Sequence, residues 1–317
     1  MATIDRTGAE ALIPEEFSRD IIQAAPQNSA IMSLARRLPN MSRNQLRMPI
    51  LSALVTAYFV DGEVTNSDAS GGFKQTSRQA WANKYINAAE MAVIVPIPEA
   101  VLDDQDYDIW GEVRPRIVEA FGAAFDAAVV YGTNAPTDWP DDLLTGAVAA
   151  GQTVSLAAST DVYDAILGEG GTLSMVEEDG YGVNGHLGAL RMKAKLRGLR
   201  DANGNPIFNR NAQSAASYDL DGAPATFPLN GFVDPAQSLL ISGDWNQLVY
   251  SVRQDVTYRI LDQAVIQDTE GNIIYNLAQQ DMVAMRAVFR LGWQLPNPLN
   301  RVNSNDATRY PFAVLVP

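Results

Sequence analysis

Between Phe73 and Val95 apolar and polar side chains alternate, the period of a strand with one face buried. Phe73, Trp81, Tyr85, Met91, Val93 and Val95 take odd positions, while Lys74, Arg78, Lys84 and Glu90 take even ones. The run follows Thr65-Asn66-Ser67-Asp68-Ala69-Ser70-Gly71-Gly72, a turn by composition. With Tyr58 and Phe59 on the outgoing side, the pattern predicts a long hairpin. A limb of about 15 residues at ~3.3 Å each would reach about 50 Å. So long a ribbon is hard to fold back into a compact domain, and an isolated one is marginal in water. One reading packs its apolar face on another copy of the chain. The other makes it two strands of an ordinary internal sheet.

The clearest helical pattern covers 98–131. Ile109, Val113, Ile117, Phe121 and Phe125 recur every four residues, which lines one helix face. Pro115 predicts a kink or a fresh start, and Gly132 predicts the end. Upstream, 1–55 reads as an arm with short helical pieces. Pro14 and Glu15-Glu16 open one of them and set Phe17 and Ile21 on one face. A second piece spans 30–38, and 46–54 reads as a strand. Downstream, 133–146 reads as a loop, and 161–167 and 187–200 as helices. The second of these helices carries Arg191, Lys193, Lys195, Arg197 and Arg200. Asp201-Ala202-Asn203-Gly204-Asn205-Pro206 is a sharp turn. Strand-like content follows at 238–242, 248–260, 264–267 and 282–291, with a turn at Glu270-Gly271-Asn272. The fold class is α+β.

The composition removes several kinds of chemistry. The absence of cysteine excludes disulfides, thiolate catalysis and Cys-ligated zinc. A formal charge of −14 repels phosphate backbones and argues against a dedicated nucleic-acid binder. No apolar run approaches the roughly 18 residues of a membrane span. The first residues lack a signal-peptide pattern, so a soluble protein of a reducing cytoplasm is expected.

Candidate catalytic groups are few. His186, the only histidine, sits in a glycine-rich stretch and reads as a solvated turn residue. Gly180-Tyr181-Gly182-Val183-Asn184-Gly185 matches GxGxxG, yet Glu177-Glu178-Asp179 lie just before it, where they would repel a pyrophosphate. Asp201, Asn203 and Asn205 resemble a calcium loop, but Pro206 and Ala212 occupy the positions that need Gly and Glu. Asp103, Asp104, Asp106 and Asp108 read as a solvated acidic helix start. The basic segment from Arg191 to Arg200 suits either solvent or an acidic patch on a neighbouring copy. No catalytic, cofactor-binding or metal residue is assigned.

The order of these elements resembles the major capsid proteins of tailed bacteriophages, the Hong Kong phage capsid fold. The resemblance is carried by Gly8-Ala9-Glu10-Ala11-Leu12-Ile13-Pro14 in the arm and by Val60-Asp61-Gly62-Glu63 in the hairpin. It continues through Val95-Pro96-Ile97-Pro98-Glu99 and Asp126-Ala127-Ala128-Val129-Val130-Tyr131-Gly132-Thr133. It ends with Gly243-Asp244-Trp245, Gln280-Asp281-Met282-Val283-Ala284-Met285-Arg286 and Arg290-Leu291-Gly292. The resemblance implies an N-terminal arm over 1–55 and an extended loop over 56–96. It further implies a peripheral domain from 97–132 and 246–317, built on a long spine helix, and an axial domain over 133–245.

By the same resemblance the chain self-assembles into hexamers and pentamers, assembled in the host bacterial cytoplasm. These close into an icosahedral virion shell around double-stranded DNA that is enclosed without sequence-specific binding. Phe17, Ile21, Phe59, Phe73, Lys74, Arg78, Trp81, Lys84 and Tyr85 would then form assembly contacts. A portal protein is an implied partner. Many relatives carry a long cleaved scaffolding segment; the arm here begins near Met1, so a separate scaffolding protein is expected. Some relatives cross-link a loop Lys to a neighbour's Asn. Lys74 or Lys84 and Asn297, Asn300 or Asn303 are the residue types available, but Lys84 is expected to keep its head in water, and a shell without covalent bonds is expected. Two other functions fit less of the pattern: an encapsulin-like compartment shell, and a nucleotide-binding enzyme using Gly180, Gly182 and Gly185.

Overall fold

The structure is a computed structural model that describes residues 28–57, 76–103, 108–159, 161–200, 203 and 218–317. Phe17, Ile21, Phe59, Phe73, Lys74, the helix expected from Pro14 and, apart from Asn203, the turn over 201–206 lie outside the described residues.

The chain enters through α1 (Ala30–Leu34), where the Ser29 hydroxyl accepts the Met32 N–H. The helix expected to continue to residue 38 stops early. Arg36 and Leu38 donate their N–H groups to the carbonyls of Leu248 and Tyr250 instead. That pairing makes β1 (Arg36–Arg37) an edge strand. Next, β2 (Gln45–Ala53) pairs antiparallel with β3 (Ala80–Asn87), from Gln45 opposite Asn87 to Ala53 opposite Ala80. β4 (Ala89–Pro98) then leaves this ribbon for another sheet.

The alternation expected to run unbroken from Phe73 to Val95 is therefore two alternations of opposite phase. In β3 the even positions face the protein and Ile86 is fully buried, while Trp81, Asn83 and Tyr85 are exposed. In β4 the odd residues Met91, Val93 and Val95 pack on the core. Ala88 separates the two strands and donates to the Asn44 carbonyl. A single unpaired residue is enough to exchange the two faces of a strand.

After the short α2 (Glu99–Asp103), α3 (Ile109–Tyr131) begins on Asp108, whose carboxylate accepts the Gly111 N–H. The fresh start expected at Pro115 thus falls one residue before Ile109, and Pro115 lies inside the helix. Gly132 ends α3 in the left-handed conformation, with φ 66°. Ile117, Phe121, Phe125 and Val129 form its buried stripe.

The loop expected over 133–146 gives way to α4 (Leu143–Ala150). Asp142 caps it by accepting both the N–H and the hydroxyl of Thr145. Two buried apolar residues, Leu143 and Ala147, then hold it against the core.

β5 (Thr153–Ser155), α5 (Val162–Leu167) and α6 (Thr172–Glu178) follow, then β6 (Gly185–Gly188) and α7 (Leu190–Gly198). The helix expected from residue 187 begins at Leu190, because 185–188 are drawn into a sheet. Beyond them lie β7 (Tyr218–Leu220), β8 (Ala223–Thr226), β9 (Leu240–Gly243), β10 (Val249–Leu261), β11 (Val265–Gln267), β12 (Ile273–Asn276), β13 (Met282–Gln294) and β14 (Phe312–Val316).

Two larger sheets organise these strands. One runs β1-β10-β13-β4 and the other β5-β14-β9-β6-β8-β7, with β2-β3 and β11-β12 as separate ribbons. β14 thus lies in the second sheet, between β5 and β9, away from the other strands that follow residue 246. α3 packs on the first sheet through Phe121 against Phe289 and Phe125 against Tyr250, at ring separations of 6.1 and 6.4 Å. The same apolar cluster continues through Leu187, Trp245 and Phe312 into the second sheet. On that sheet a further cluster gathers Ile166, Leu173, Met192, Leu196 and Leu240.

Candidate assembly surface

The β2–β3 ribbon presents two unlike faces. On one, Leu46, Met48 and Ile86 pack with Leu38, Met41 and Val249. On the other, Trp81 stands opposite Leu51, Asn83 opposite Pro49, and Tyr85 opposite Arg47. Trp81 is 65% exposed and Tyr85 41%. Removing a Trp side chain from water is worth several times the burial of a methyl group, so leaving one exposed is costly unless a partner covers it. Arg78 is exposed just before β3, where the Ser77 hydroxyl accepts the Thr56 N–H and joins the two limbs. The structure therefore brings Arg78, Trp81, Lys84 and Tyr85 onto one ribbon but not onto one face.

The ribbon is held along its length by 294–301. Gln294 donates to the Tyr85 carbonyl at 2.9 Å, and Lys84 Nζ donates to the Leu295 carbonyl at 3.0 Å. The Leu299 N–H reaches the Leu51 carbonyl at 3.2 Å, and Arg301 reaches that of Val55 at 2.8 Å. At the root, Trp139 Nε1 donates to the Asn87 carbonyl, and Asn87 donates to that of Asp138. A Cβ at residue 292 would overlap the Asn87 carbonyl, so glycine is required where β13 passes the root. Beside the ribbon lies a cleft of ≈ 700 Å³, lined by Leu38, Met48, Ile50, Pro296 and Pro298 among others.

Lys84 differs from expectation. It stands on the half-buried face of β3, and its ammonium donates to the Leu295 carbonyl. Burial lowers its pKa, the attraction of Asp306 opposes that shift, and the nearby Arg309 adds to it.

A second ribbon, β11–β12, is half expected: β11 falls on the strand-like run 264–267, and β12 goes unmarked by the sequence pattern. Val265, Ile273 and Ile274 are 50%, 63% and 48% exposed on this ribbon. The short β12 carries no alternation long enough to stand out, and the turn Glu270-Gly271-Asn272, where Gly271 has φ 88°, joins it to β11.

The candidate catalytic groups take other roles. His186 is fully buried in β6 and is not a solvated turn residue. Its Nδ1 lies 2.8 Å from Ser242 Oγ and its Nε2 3.2 Å from the Leu220 carbonyl. The GxGxxG stretch follows a helix, α6, and leads into a strand, β6, the reverse of the order that aims a helix N-terminus at a phosphate. Asp179 is buried, accepting from Gln152, Asn303 and the Tyr310 N–H, and so pins 297–310 to α6. Among the described residues, no group of three or more His, Cys, Asp or Glu is placed to hold a metal ion. Nor is any helix among them long and apolar enough to cross a membrane.

Residues 9–299 match the phage capsid family. The major capsid protein of Staphylococcus phage 80alpha is 26% identical over 287 residues, 89% of this chain and 81% of that protein. A solved structure from Microbacterium phage Oxtober96 is similar with a TM-score of 0.84 at 35% identity, covering 100% of both chains. One from Mycobacterium phage Cain is similar with a TM-score of 0.83 at 31% identity, covering 100% of this chain and 99% of that one. The α+β fold is the fold of these phage structures. The chain belongs to the phage capsid family.

Proposed function

We propose that the chain is the major capsid protein of a tailed phage. It forms hexamers and pentamers that close into an icosahedral shell around double-stranded DNA and becomes part of the virion. The observation that carries this reading is the exposed face of the β2–β3 ribbon, where Trp81 has no covering partner among the described residues. Full-length similarity to phage structures supports it. The role is structural, with no catalytic step.

In this reading 1–55 is the arm and 56–96 the extended loop, with β2 from the first segment pairing to β3 of the second. The peripheral domain comprises 97–132 and 246–317, except that β14 joins the sheet of the axial domain, 133–245. Arg78, Trp81, Lys84, Tyr85, Phe59, Phe73, Lys74, Phe17 and Ile21 serve contacts between copies. Assembly takes place in the host cytoplasm with a scaffolding protein and a portal protein as partners.

An encapsulin-like shell would share the fold, but the relatives matched are phage proteins. The nucleotide-binding alternative lacks the strand-turn-helix order it needs. Electron microscopy of the expressed chain, alone and with the scaffolding protein of its phage, tests the proposal. Closed shells are expected. A monomer that stays monomeric in sedimentation under both conditions would overturn it.

A further inference from the structure

The charges of this chain are separated in a way that its net −14 conceals. Residues 28–57 and 76–89, the ribbon and its root, contain Arg36, Arg37, Arg43, Arg47, Arg78 and Lys84 and no Asp or Glu. The sequence between them, 58–75, carries Asp61, Glu63, Asp68 and Lys74. Residues 117–190 show the opposite bias, with eleven Asp and Glu and no Lys or Arg.

The structure places these groups on different surfaces. Arg36, Arg37, Arg43 and Arg47 are exposed on β1, β2 and the ribbon root, and Arg78 is exposed at the end of the ribbon away from the root. Asp161, Asp164, Glu169, Glu177 and Glu178 are exposed on α5, α6 and their connection, over the second sheet. The ion pairs among the described residues are Arg116 with Glu119, Arg290 with Glu90, and Arg309 with Asp306. None of them joins the two groups.

We infer that the basic ribbon root docks on the acidic α5–α6 face of a second copy of this chain. The inference rests on the capsid reading and adds the partner surface. Each copy supplies both signs of charge on separate faces, so the contact is heterologous. Such contacts build rings or open chains instead of two-fold dimers. The pairing also gives the arginines carboxylates that they do not meet among the described residues of their own subunit. DNA is the poorer partner, because the large negative field of the chain repels phosphate. Contacts of this kind set partner choice and encounter rate and weaken as salt screens them.

The test is charge exchange in the full chain under conditions where the wild type assembles. Arg43→Glu with Arg47→Glu should lower the assembled fraction about tenfold in sedimentation velocity, as should Glu177→Lys with Glu178→Lys. Combining the four substitutions should restore most of the loss, and raising salt from about 0.05 M to about 0.5 M should weaken wild-type assembly. All these positions are exposed, so thermal unfolding of unassembled subunits should be unchanged. Arg43→Gln with Arg47→Gln gives a milder loss in the same direction and stands in if the reversed pair fails to fold. A combined variant no better than its parents overturns the contact, as does a reversed variant that assembles like the wild type. Normal shells with reduced DNA content in the Arg43→Glu, Arg47→Glu variant would place the patch against nucleic acid and overturn it too. A wild-type chain that never assembles would instead overturn the capsid reading, and this contact with it.

Discussion

Asp126, buried in α3, caps a helix to which it is not adjacent in sequence: its Oδ1 accepts the Ser29 hydroxyl at 2.5 Å, 97 residues away. The same carboxylate accepts the N–H groups of Ala30 and Ile31 at 2.9 and 3.2 Å and the Asn230 amide at 3.1 Å. A helix as short as α1 has little stability of its own. Its position at the start of the described chain therefore depends on this tertiary cap.

Asp126→Ala should destabilise unassembled subunits by about 3 kcal/mol, since it strips buried donors of their acceptor. Denaturant unfolding measures this. Burial raises the Asp126 pKa, against the opposing pull of its four donors. An acid with a raised folded pKa binds more protons folded than unfolded. Its stabilising contribution is therefore greatest below the ordinary carboxylate pKa and declines as pH rises through the folded value. Relative to the non-titrating Asp126→Asn, the wild type should lose stability over that rise. A flat difference across pH would contradict the assignment.

His186→Ala should cost about 3 kcal/mol, from a cavity in the second sheet and the loss of partners for Ser242 and Leu220. Burial depresses the His186 pKa, with the Leu220 carbonyl and Asp221 opposing. The folded state therefore binds fewer protons. The contribution is present above the ordinary imidazole value of about 6.5 and is lost as pH falls from there toward the depressed value. Urea unfolding between about pH 7 and pH 5 should show this loss in the wild type but not in His186→Ala.

Trp81→Ala should change subunit stability by less than about 0.5 kcal/mol, because its side chain faces solvent. It should nevertheless reduce assembly. Trp293→Ala, at a residue 1% exposed, should cost about 4 kcal/mol. Thermal unfolding of subunits and sedimentation of assemblies separate the two effects. Equal thermal losses would place Trp81 in the subunit core.

Boiled particles should run as one band at 34.4 kDa on a denaturing gel. Lys84 is held against Leu295, and the candidate amides are engaged. The Asn297 side chain binds Tyr181 and Arg309, while Asn300 and Asn303 bind Asp179. Burial does favour a neutral Lys84 amine, one requirement of the cross-linking reaction. A ladder of multimers abolished by Lys84→Ala or Lys74→Ala would show that the other requirements are met between copies.

The long periodic elements are legible in the sequence. Ile117, Phe121 and Phe125 announce α3 because a four-residue spacing kept up over several turns outlasts an ordinary strand and lines one helix face. β10 and β13 stand out by length. What stays hidden depends on distant partners. Asn87-Ala88-Ala89 carries no compositional sign that the strand changes sheet and face, so the pattern puts Trp81 and Tyr85 on the right ribbon but in the core-facing phase of β4. His186 sits in four residues that resemble a turn until β8 and β9, some 40 to 60 residues away, pair with them. The α4 helix is a different case, since Asp142 and Thr145 stand in the sequence at capping distance within a stretch that reads as loop. The charge separation is also open to inspection, but a net charge averages it away.

The bonds from 294–301 to the ribbon have a mechanical consequence. A beam fixed only at its root bends easily, whereas one braced along its span transmits load to the wall behind it. With Lys84, Tyr85, Leu51 and Val55 tied to 294–301, force applied to the Trp81 face passes directly into the end of β13 and the start of β10. The angle at which the ribbon leaves the subunit is therefore set by the backbone behind it. Substitutions on its outer face can change how tightly copies hold one another while leaving that angle, and with it the curvature of anything they build, as it was.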